Sequence, residues 1–169
     1  MSTGVFNFTF MEVPDHEKFM RIAIQLAEQN VKQSAGGPFG AVIVKDGEIV
    51  AQSPNRVVTE NDPTAHAEVS AIRIACQHLV TCNLEGCTIY TSCEPCPMCL
   101  GAIYWARIDT IYYGNTKIDA AAIGFDDHFI YQELERPLHE RKLKITQLLP
   151  EEALIAFKLW QSTETKTDY

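Results

Sequence analysis

Two short stretches of this chain contain residues that could bind a metal and catalyse a reaction. The first supplies His66 and Glu68, and the second supplies Cys96 and Cys99. One imidazole and two thiols make three ligands, which leaves Glu68 as a carboxylate that the metal does not need. A structural zinc site has four protein ligands, whereas a catalytic site has three and leaves one position for water. The residue types therefore predict a hydrolytic site in which His66, Cys96 and Cys99 bind one Zn²⁺ ion.

The spacing of these residues limits how they can meet. His66 and Glu68 are two residues apart, about 200° around a regular helix, so they cannot share one lateral face. They can meet only over a helix N-terminus, where side chains of the first turn can fold towards the axis. Cys96 and Cys99 lie three residues apart at the start of the next helix and can face one point. We therefore expect two helix N-termini to converge on the metal, where their positive ends favour thiolates. Glu68 is then placed to accept a proton from activated water.

Other interpretations of the cysteines remain open at this point. A CxxC pair is often structural, and Cys93 or Cys87 could supply a fourth ligand. Cys93 and the CxxC pair also begin the spacing of an iron–sulfur motif. That motif needs Cys-Pro four residues further on, where the chain has Ile103 and Tyr104. A four-ligand zinc site would leave Glu68 without a role, so the pattern favours a catalytic site.

Composition and charge limit the class of protein. The chain has 169 residues, of which 46% are hydrophobic and 21% charged, which is typical of one soluble globular domain. Its net charge of -8 argues against a broad nucleic-acid surface, which needs clustered Lys and Arg. We find no apolar run long enough to cross a membrane and no secretory signal at the N-terminus. Six cysteines in a chain of this kind do not indicate a disulfide framework. We expect a reduced, cytoplasmic protein without nucleic-acid or membrane partners.

The hydrophobic pattern alternates between helices and strands around the two motifs. It predicts helices over 15–34, 65–79, 97–107 and 150–160, and strands over 41–44, 48–52, 87–91, 109–114 and 144–147, with loops at 54–61 and around 124–127. Asp46-Gly47 predicts a two-residue hairpin, and the strand–helix–strand order from 87 to 114 predicts parallel pairing. The expected fold is a three-layer α/β/α domain on a mixed sheet of about five strands.

Three segments of different character divide the chain. Residues 1–14 form an N-terminal extension in which Phe6, Phe8 and Phe10 alternate as they would in a strand, although an unstructured terminus fits equally well. Residues 15–160 form the domain that contains both motifs. Residues 161–169 form a C-terminal tail.

Five segments together give the chain a resemblance to the cytidine-deaminase-like superfamily of zinc deaminases, and within it to the bacterial guanine deaminases. These segments cover 36–47 (GGPFGAVIVKDG), 61–69 (NDPTAHAEV), 91–107 (TSCEPCPMCLGAIYWAR), 123–127 (IGFDD) and 168–169 (DY). The order H-x-E followed by P-C-x-x-C is the signature of the superfamily. The resemblance extends over about 15–169, so the N-terminal extension lies outside it.

This resemblance implies a function and a role for each site residue. It implies hydrolysis of guanine to xanthine and ammonia in purine catabolism, with one Zn²⁺ per subunit and water attacking ring carbon 2. Glu68 would be the general base, and Asp127 would be a second catalytic carboxylate near the amino group. Phe39 would stack on the purine, Asn55 would hydrogen-bond its ring edge, and Tyr169 would close the pocket as part of a C-terminal lid. A homodimer that exchanges this C-terminal segment is also implied.

Several alternative functions use the same zinc site. Guanosine, cytosine and tRNA adenosine deaminases share the metal motif, and a non-catalytic zinc-bound purine-binding protein would share it too. A tRNA enzyme would need a basic surface near the C-terminal helix. Residues 150–169 contain only Lys158 and Lys166 against four acidic residues. The retained Glu68 argues against a protein without catalysis.

Overall fold

The computed structural model describes residues 15–167 as four strands, seven α-helices and one 3₁₀ turn. The strands are β1 (Gly40–Lys45), β2 (Glu48–Pro54), β3 (Cys87–Cys93) and β4 (Thr110–Asn115); the helices are α1 (His16–Lys32), α2 (Val57–Glu60), α3 (Ala67–Leu79), α4 (Pro97–Trp105), α5 (Lys117–Ala122), α6 (His128–Glu135) and α7 (Pro150–Ser162), with the 3₁₀ turn at Leu138–Glu140. The predictions for Phe6, Phe8, Phe10 and Tyr169 lie outside these residues.

The sheet has the strand order β2-β1-β3-β4. Strand β1 is antiparallel to both β2 and β3, whereas β3 and β4 are parallel. Asp46 and Gly47 have φ values of 51° and 81°, and a two-residue turn with positive φ at both positions matches the twist of a hairpin. The predicted hairpin and the predicted parallel crossover through α4 are both confirmed.

Helices cover both faces of the sheet, which confirms the three-layer α/β/α architecture. Val42 and Val44 point to one face, where they pack with Phe19 and Ala23 of α1. Residues on the opposite face pack against α3 and α4, because successive side chains of a strand alternate between faces. This second cluster comprises Ala41, Ile43, Ala51, Ala67, Ala71, Ala75, Leu84, Cys87, Ile89, Ile103 and Ala106.

Gly40 lets α1 approach the sheet closely. A Cβ atom at this position would lie 2.3 Å from the Ala23 carbonyl oxygen and 2.8 Å from Leu26 Cβ. Both distances are far below van der Waals contact, so no other residue fits without moving the helix. This contact fixes α1 against the start of β1, immediately after the segment that contains Phe39.

Two predictions about secondary structure, the strand at 144–147 and the uninterrupted loop at 54–61, are wrong. The sheet has four strands instead of about five, since residues 144–149 are irregular and make no strand pairing in the part of the chain described. A strand needs a neighbouring strand for its backbone hydrogen bonds, and this segment pairs with none of the four described strands. The loop predicted at 54–61 contains α2. The loop predicted around 124–127 is confirmed, but the helices on either side of it, α5 and α6, were not predicted; a capping box between Thr116 and Asp119 begins α5.

Within residues 15–167, no helix combines the length and hydropathy needed to cross a bilayer.

Candidate metal centre and active site

The structure brings His66, Cys96 and Cys99 together in one cluster. His66 Nδ1 lies 3.6 Å from Cys96 Sγ and 3.4 Å from Cys99 Sγ. A tetrahedral Zn²⁺ ion with usual Zn–N and Zn–S bond lengths would hold a nitrogen and a sulfur about 3.6 Å apart. The ligand atoms therefore already have the separation that zinc needs. Three protein ligands leave the fourth tetrahedral position for water.

Two helix N-termini position these ligands. His66 is the N-cap of α3, and Cys96 is the N-cap of α4; both have extended backbones. Pro97 occupies the first helical position of α4, where its fixed φ and missing N–H cost nothing. Cys99 then falls on the first turn of α4 and is fully buried. The expected convergence of two helix ends on the metal is present in the structure.

Protonation of the two thiols is unequal in the absence of metal. A hydrogen bond from Cys99, together with one from His66, lowers the pKa of Cys96 to about 4. The same bond to Cys96, together with burial, raises the pKa of Cys99. Cys96 is therefore a thiolate ready to bind metal, whereas Cys99 must lose its proton when the metal arrives.

Glu68 lies beside this cluster on the first turn of α3. It is only 7% exposed, and burial raises the pKa of its carboxyl group. A carboxylate with a raised pKa near the metal can both accept and return a proton, as a general acid–base catalyst must. His66 and Glu68 thus face the same cleft even though they are only two residues apart.

The cleft over the metal cluster has a volume of about 500 Å³ and is half enclosed. Phe39, Asn55 and Asp127 all line it, together with His66 and Glu68. The volume lies within the usual range for small-molecule sites. Every expected site residue in the described part of the chain therefore lines one cavity, except Cys99, which is fully buried within the ligand cluster. Their individual roles remain predictions.

Asn55 is held in place by contacts that the sequence did not reveal. Its backbone N–H donates to the Phe39 carbonyl (2.9 Å), and its side-chain Oδ1 accepts a bond from the Val57 N–H (3.2 Å). The buried Asn30 of α1 donates from Nδ2 to the carbonyl oxygens of Gly37 (2.8 Å) and Asn55 (3.0 Å). Asn30 therefore ties the segments that carry Phe39 and Asn55 together.

Phe39, Phe125 and Asp127 also line the cleft. The rings of Phe39 and Phe125 pack edge to face with their centroids 4.9 Å apart. Asp127 is the N-cap of α6, and burial raises the pKa of its carboxyl group. The site thus has two carboxylates, Glu68 and Asp127, that approach the cleft from different elements.

The alternative metal ligands lie outside the group of three ligand atoms, although Cys93 lines the same cleft. Cys93 is buried and its thiol donates to the Thr116 carbonyl (3.6 Å); burial raises its pKa to about 11. Cys87 is packed in the core cluster on the α3 and α4 face. Neither thiol belongs to the group of atoms close enough to share one ion with His66. A three-ligand site is therefore the arrangement present.

Comparison with known proteins agrees with this geometry. Residues 13–115 match the family model described as the cytidine and deoxycytidylate deaminase zinc-binding region. The chain belongs to this family, and it is a zinc-dependent hydrolytic deaminase.

Individual relatives differ in how much of the chain they match. The guanine deaminase of Bacillus subtilis is 52% identical over 155 residues, which cover 92% of this chain and 99% of that protein. Its crystal structure superposes with a TM-score of 0.89. The guanine deaminase from Nitrosomonas europaea is 28% identical, with a TM-score of 0.65 over 89% of this chain and 87% of that one. A tRNA-specific adenosine deaminase of Agrobacterium fabrum is 51% identical, but over only 56% of this chain and 62% of that protein.

Proposed function

We propose that this protein is a guanine deaminase, which hydrolyses guanine to xanthine and ammonia in purine catabolism. The observation that carries the proposal is the cleft itself. It joins the zinc cluster and Glu68 to Asn55, Phe39 and Asp127, and the last of these lies on a segment beyond the family's zinc-binding region. The similarity to a guanine deaminase over 92% of the chain supports the same conclusion.

The cleft offers a purine base both stacking and hydrogen bonding. Phe39 gives an aromatic face, and its contact with Phe125 holds the ring in one orientation. Asn55 uses its Oδ1 to accept from the backbone of Val57, which leaves the amide Nδ2 free to donate to an acceptor atom on the purine edge. These two side chains would orient the base with its amino group towards the metal cluster.

The metal and the two carboxylates have different roles in the proposed reaction. When bound, zinc acts as a Lewis acid that makes water a nucleophile near neutral pH. Glu68 accepts a proton from the water that attacks carbon 2 and then delivers it to the adjacent ring nitrogen. Glu68 next takes the second proton of the attacking water and gives it to the amino group, which leaves as ammonia. Asp127 faces the leaving amine and orients it through hydrogen bonding.

The direct test is a substrate panel with the zinc-loaded enzyme. Ammonia release is measured with guanine, guanosine, cytosine and adenine, and xanthine is identified as the product from guanine. We expect turnover of guanine and little or none of the others. Activity on cytosine alone would contradict the proposal. Tight, salt-dependent binding of a tRNA anticodon stem-loop would instead favour the tRNA enzyme. Guanine binding without any turnover would indicate a non-catalytic purine-binding protein.

We also propose that the protein is a homodimer that exchanges its C-terminal segment. No residue of α7 is buried, and Phe157 and Leu159 are 72% and 67% exposed. At the far edge of the sheet, β4 has no further partner among the described strands. A groove beside it is lined by Met20, Tyr112 and Tyr113, together with the polar side chains of His16, Glu17 and Arg21. An exposed apolar helix and an open sheet edge on one chain are complementary to the same two features of a second copy.

Light scattering tests the dimer, for which we expect twice the 19.0 kDa chain mass. Phe157→Asp should produce monomers because it places a charge in the proposed interface. Gln161→Asp is the matched control, since it changes the net charge by the same amount on the same helix without removing an apolar side chain. A wild-type protein that is monomeric at micromolar concentration and fully active would contradict the dimer.

A mixing experiment tests the exchange of the tail. Chains with Glu68→Gln and chains that lack residues 168–169 are refolded together. In an exchanged dimer, an intact tail from the first chain would complete the site of the second, so activity should return. Without exchange, each site would contain one defect and activity would stay low. This design also tests Tyr169 as a lid residue, a role that rests on the resemblance.

We place this activity in the cytoplasm. All six cysteines are free thiols, and two of them are proposed metal ligands that oxidation would destroy. A free purine base is the small-molecule partner, and no nucleic-acid or membrane partner is proposed.

A further inference from the structure

The loop that carries Cys96 is joined to the C-terminal part of the cleft by contacts that meet at Lys117. Glu94 Oε2 accepts a hydrogen bond from the Lys117 N–H (3.1 Å), and Glu94 Oε1 lies 3.9 Å from Lys117 Nζ. The same Nζ lies 4.7 Å from the centre of the Tyr131 ring. The Tyr131 hydroxyl in turn donates to the carbonyl of the buried Pro95 (3.5 Å). These contacts connect the metal loop, the start of α5 and the middle of α6.

Tyr131 shares a helix face with Asp127. The two residues are four apart on α6, and the Tyr131 N–H bonds to the Asp127 carbonyl oxygen (3.4 Å). Side chains four apart on a helix lie one above the other. Asp127 is the N-cap of α6 and lines the cleft, so a shift of the first turn of α6 would move its carboxyl group relative to the metal cluster. Contacts that hold Tyr131 in place therefore also restrain the position of Asp127.

Buried hydrophobic packing contributes little to holding this segment, although Phe125 packs edge to face on Phe39. None of the residues in α5 or α6 is buried. The core clusters on both faces of the sheet contain no residue after Ile111. The contacts of Lys117 and Tyr131 therefore join the metal loop to α6, in addition to the bond from Glu94 N–H to the Asn115 carbonyl (2.8 Å) and the bond from the Cys93 thiol to the Thr116 carbonyl (3.6 Å).

We propose that Lys117 and Tyr131 are positioning residues, which hold α6 against the metal loop so that Asp127 faces the metal cluster. Lys117 bridges the Glu94 carboxylate and the Tyr131 ring, and Tyr131 transmits this restraint one helical turn to Asp127. The inference rests on the proposed function, in which Asp127 orients the leaving amine.

Paired substitutions test the two restraints separately. Lys117→Met removes the cation, and Lys117→Arg retains it. Tyr131→Leu removes the ring, and Tyr131→Phe retains the surface on which the cation lies. Lys142→Met is the matched control, because Lys142 Nζ lies 5.4 Å from the Phe129 ring on the same segment but does not line the cleft. Zinc content is measured for every variant and should stay at one ion per chain.

Two readouts are expected to change together. Lys117→Met and Tyr131→Leu should each lower kcat for guanine about tenfold or more with little change in KM, because a small displacement of a reacting group is costly. Lys117→Arg and the control should stay within about threefold of wild type. Tyr131→Phe keeps the ring but loses the hydroxyl bond to Pro95, so it should be less impaired than Tyr131→Leu. Hydrogen exchange of residues 117–131 in the zinc-loaded protein should be clearly faster in Lys117→Met and Tyr131→Leu than in Lys117→Arg and the control.

Several outcomes would overturn the inference. Exchange rates equal to wild type in Lys117→Met would show that the cation does not restrain α6. A rise in KM alone for Lys117→Met, with wild-type behaviour of Tyr131→Leu, would show that Lys117 contacts the substrate directly. If the wild-type enzyme releases no ammonia from guanine, the proposed function fails, while the exchange comparison still decides whether the restraint exists.

Discussion

The substitution Glu68→Gln separates the role of Glu68 in catalysis from the effect of its buried charge on the stability of the fold. Gln has the same shape but cannot accept or deliver a proton, so general acid–base catalysis is lost. Such catalysis contributes about 10² to 10⁴-fold, which corresponds to about 2.7 to 5.4 kcal/mol of barrier. Asp127 is a second carboxylate in the cleft and could replace part of the lost function. We therefore expect kcat to fall at least a hundredfold, which corresponds to an activation barrier that is higher by about 2.7 kcal/mol or more.

The same substitution should stabilise the metal-free protein at neutral pH. Glu68 is almost fully buried, and burial raises the pKa of its carboxyl group above the ordinary value of 4.5. When the pKa of a carboxyl group is higher in the folded protein than in the unfolded one, the folded protein becomes less stable as the pH rises from 4.5 through the folded pKa. Gln carries no charge at any pH. The free energy of unfolding should therefore be equal for the two proteins below pH 4.5 and higher for Glu68→Gln at pH 7.

Two measurements on the same preparations test this reasoning. Ammonia release at saturating guanine gives kcat, and urea unfolding of the metal-free proteins at several pH values gives stability. Glu48→Gln is the control, because Glu48 is exposed at the start of β2 and should change neither quantity. Wild-type kcat in Glu68→Gln would refute the assignment of the general base. A loss of stability at pH 7 would refute the account of its burial.

Three further predictions concern the fold and the metal. Gly40→Ala should destabilise the protein by about 2 kcal/mol, because the new methyl group would collide with the Ala23 carbonyl; Gly101→Ala on α4 has open space around it and should not destabilise the protein in the same urea titration. The pKa of Asp119 is lowered by its hydrogen bonds with the side chain and backbone of Thr116, so it stabilises the fold above its ordinary pKa of 3.8. Asp119→Asn should therefore lower stability at pH 7, and the difference should vanish as the pH falls well below 3.8, as measured by unfolding at each pH. Removal of zinc by a chelator should lower the melting temperature, since an ion at a hundred times its Kd stabilises by about 2.7 kcal/mol, and added zinc should restore it.

Local sequence determined most of what could be predicted about this molecule. The hairpin follows from Asp46-Gly47, and the metal ligands follow from residue types placed at two helix starts. The residue before α3 and the residue before α4 are both ligands. The sequence motif that identifies the ligands therefore also identifies where each helix begins. Helix α7 could be predicted because the spacing of its apolar residues is a local property of the sequence, which does not depend on the surface that the helix packs against.

Features that depend on distant residues could not be predicted. A strand near 144–147 has suitable residues, but pairing partners decide whether a strand forms. Asn30 resembles any polar residue late in a helix, and its role arises only because Gly37 and Asn55 come within reach. The start of α5 is different, since Thr116 and Asp119 have the spacing of a capping box. That signal was present in the sequence and could have identified the helix.

The location of the ligands at two helix starts affects how quickly the metal can exchange. Ala67 and Cys99, in the first turns of α3 and α4, are fully buried. An ion bound by His66, Cys96 and Cys99 can leave easily only when one of these turns opens, and opening disturbs the core beneath it. We therefore expect metal exchange to depend on local opening of these turns, and an ion acquired while the chain folds would exchange slowly with ions encountered later.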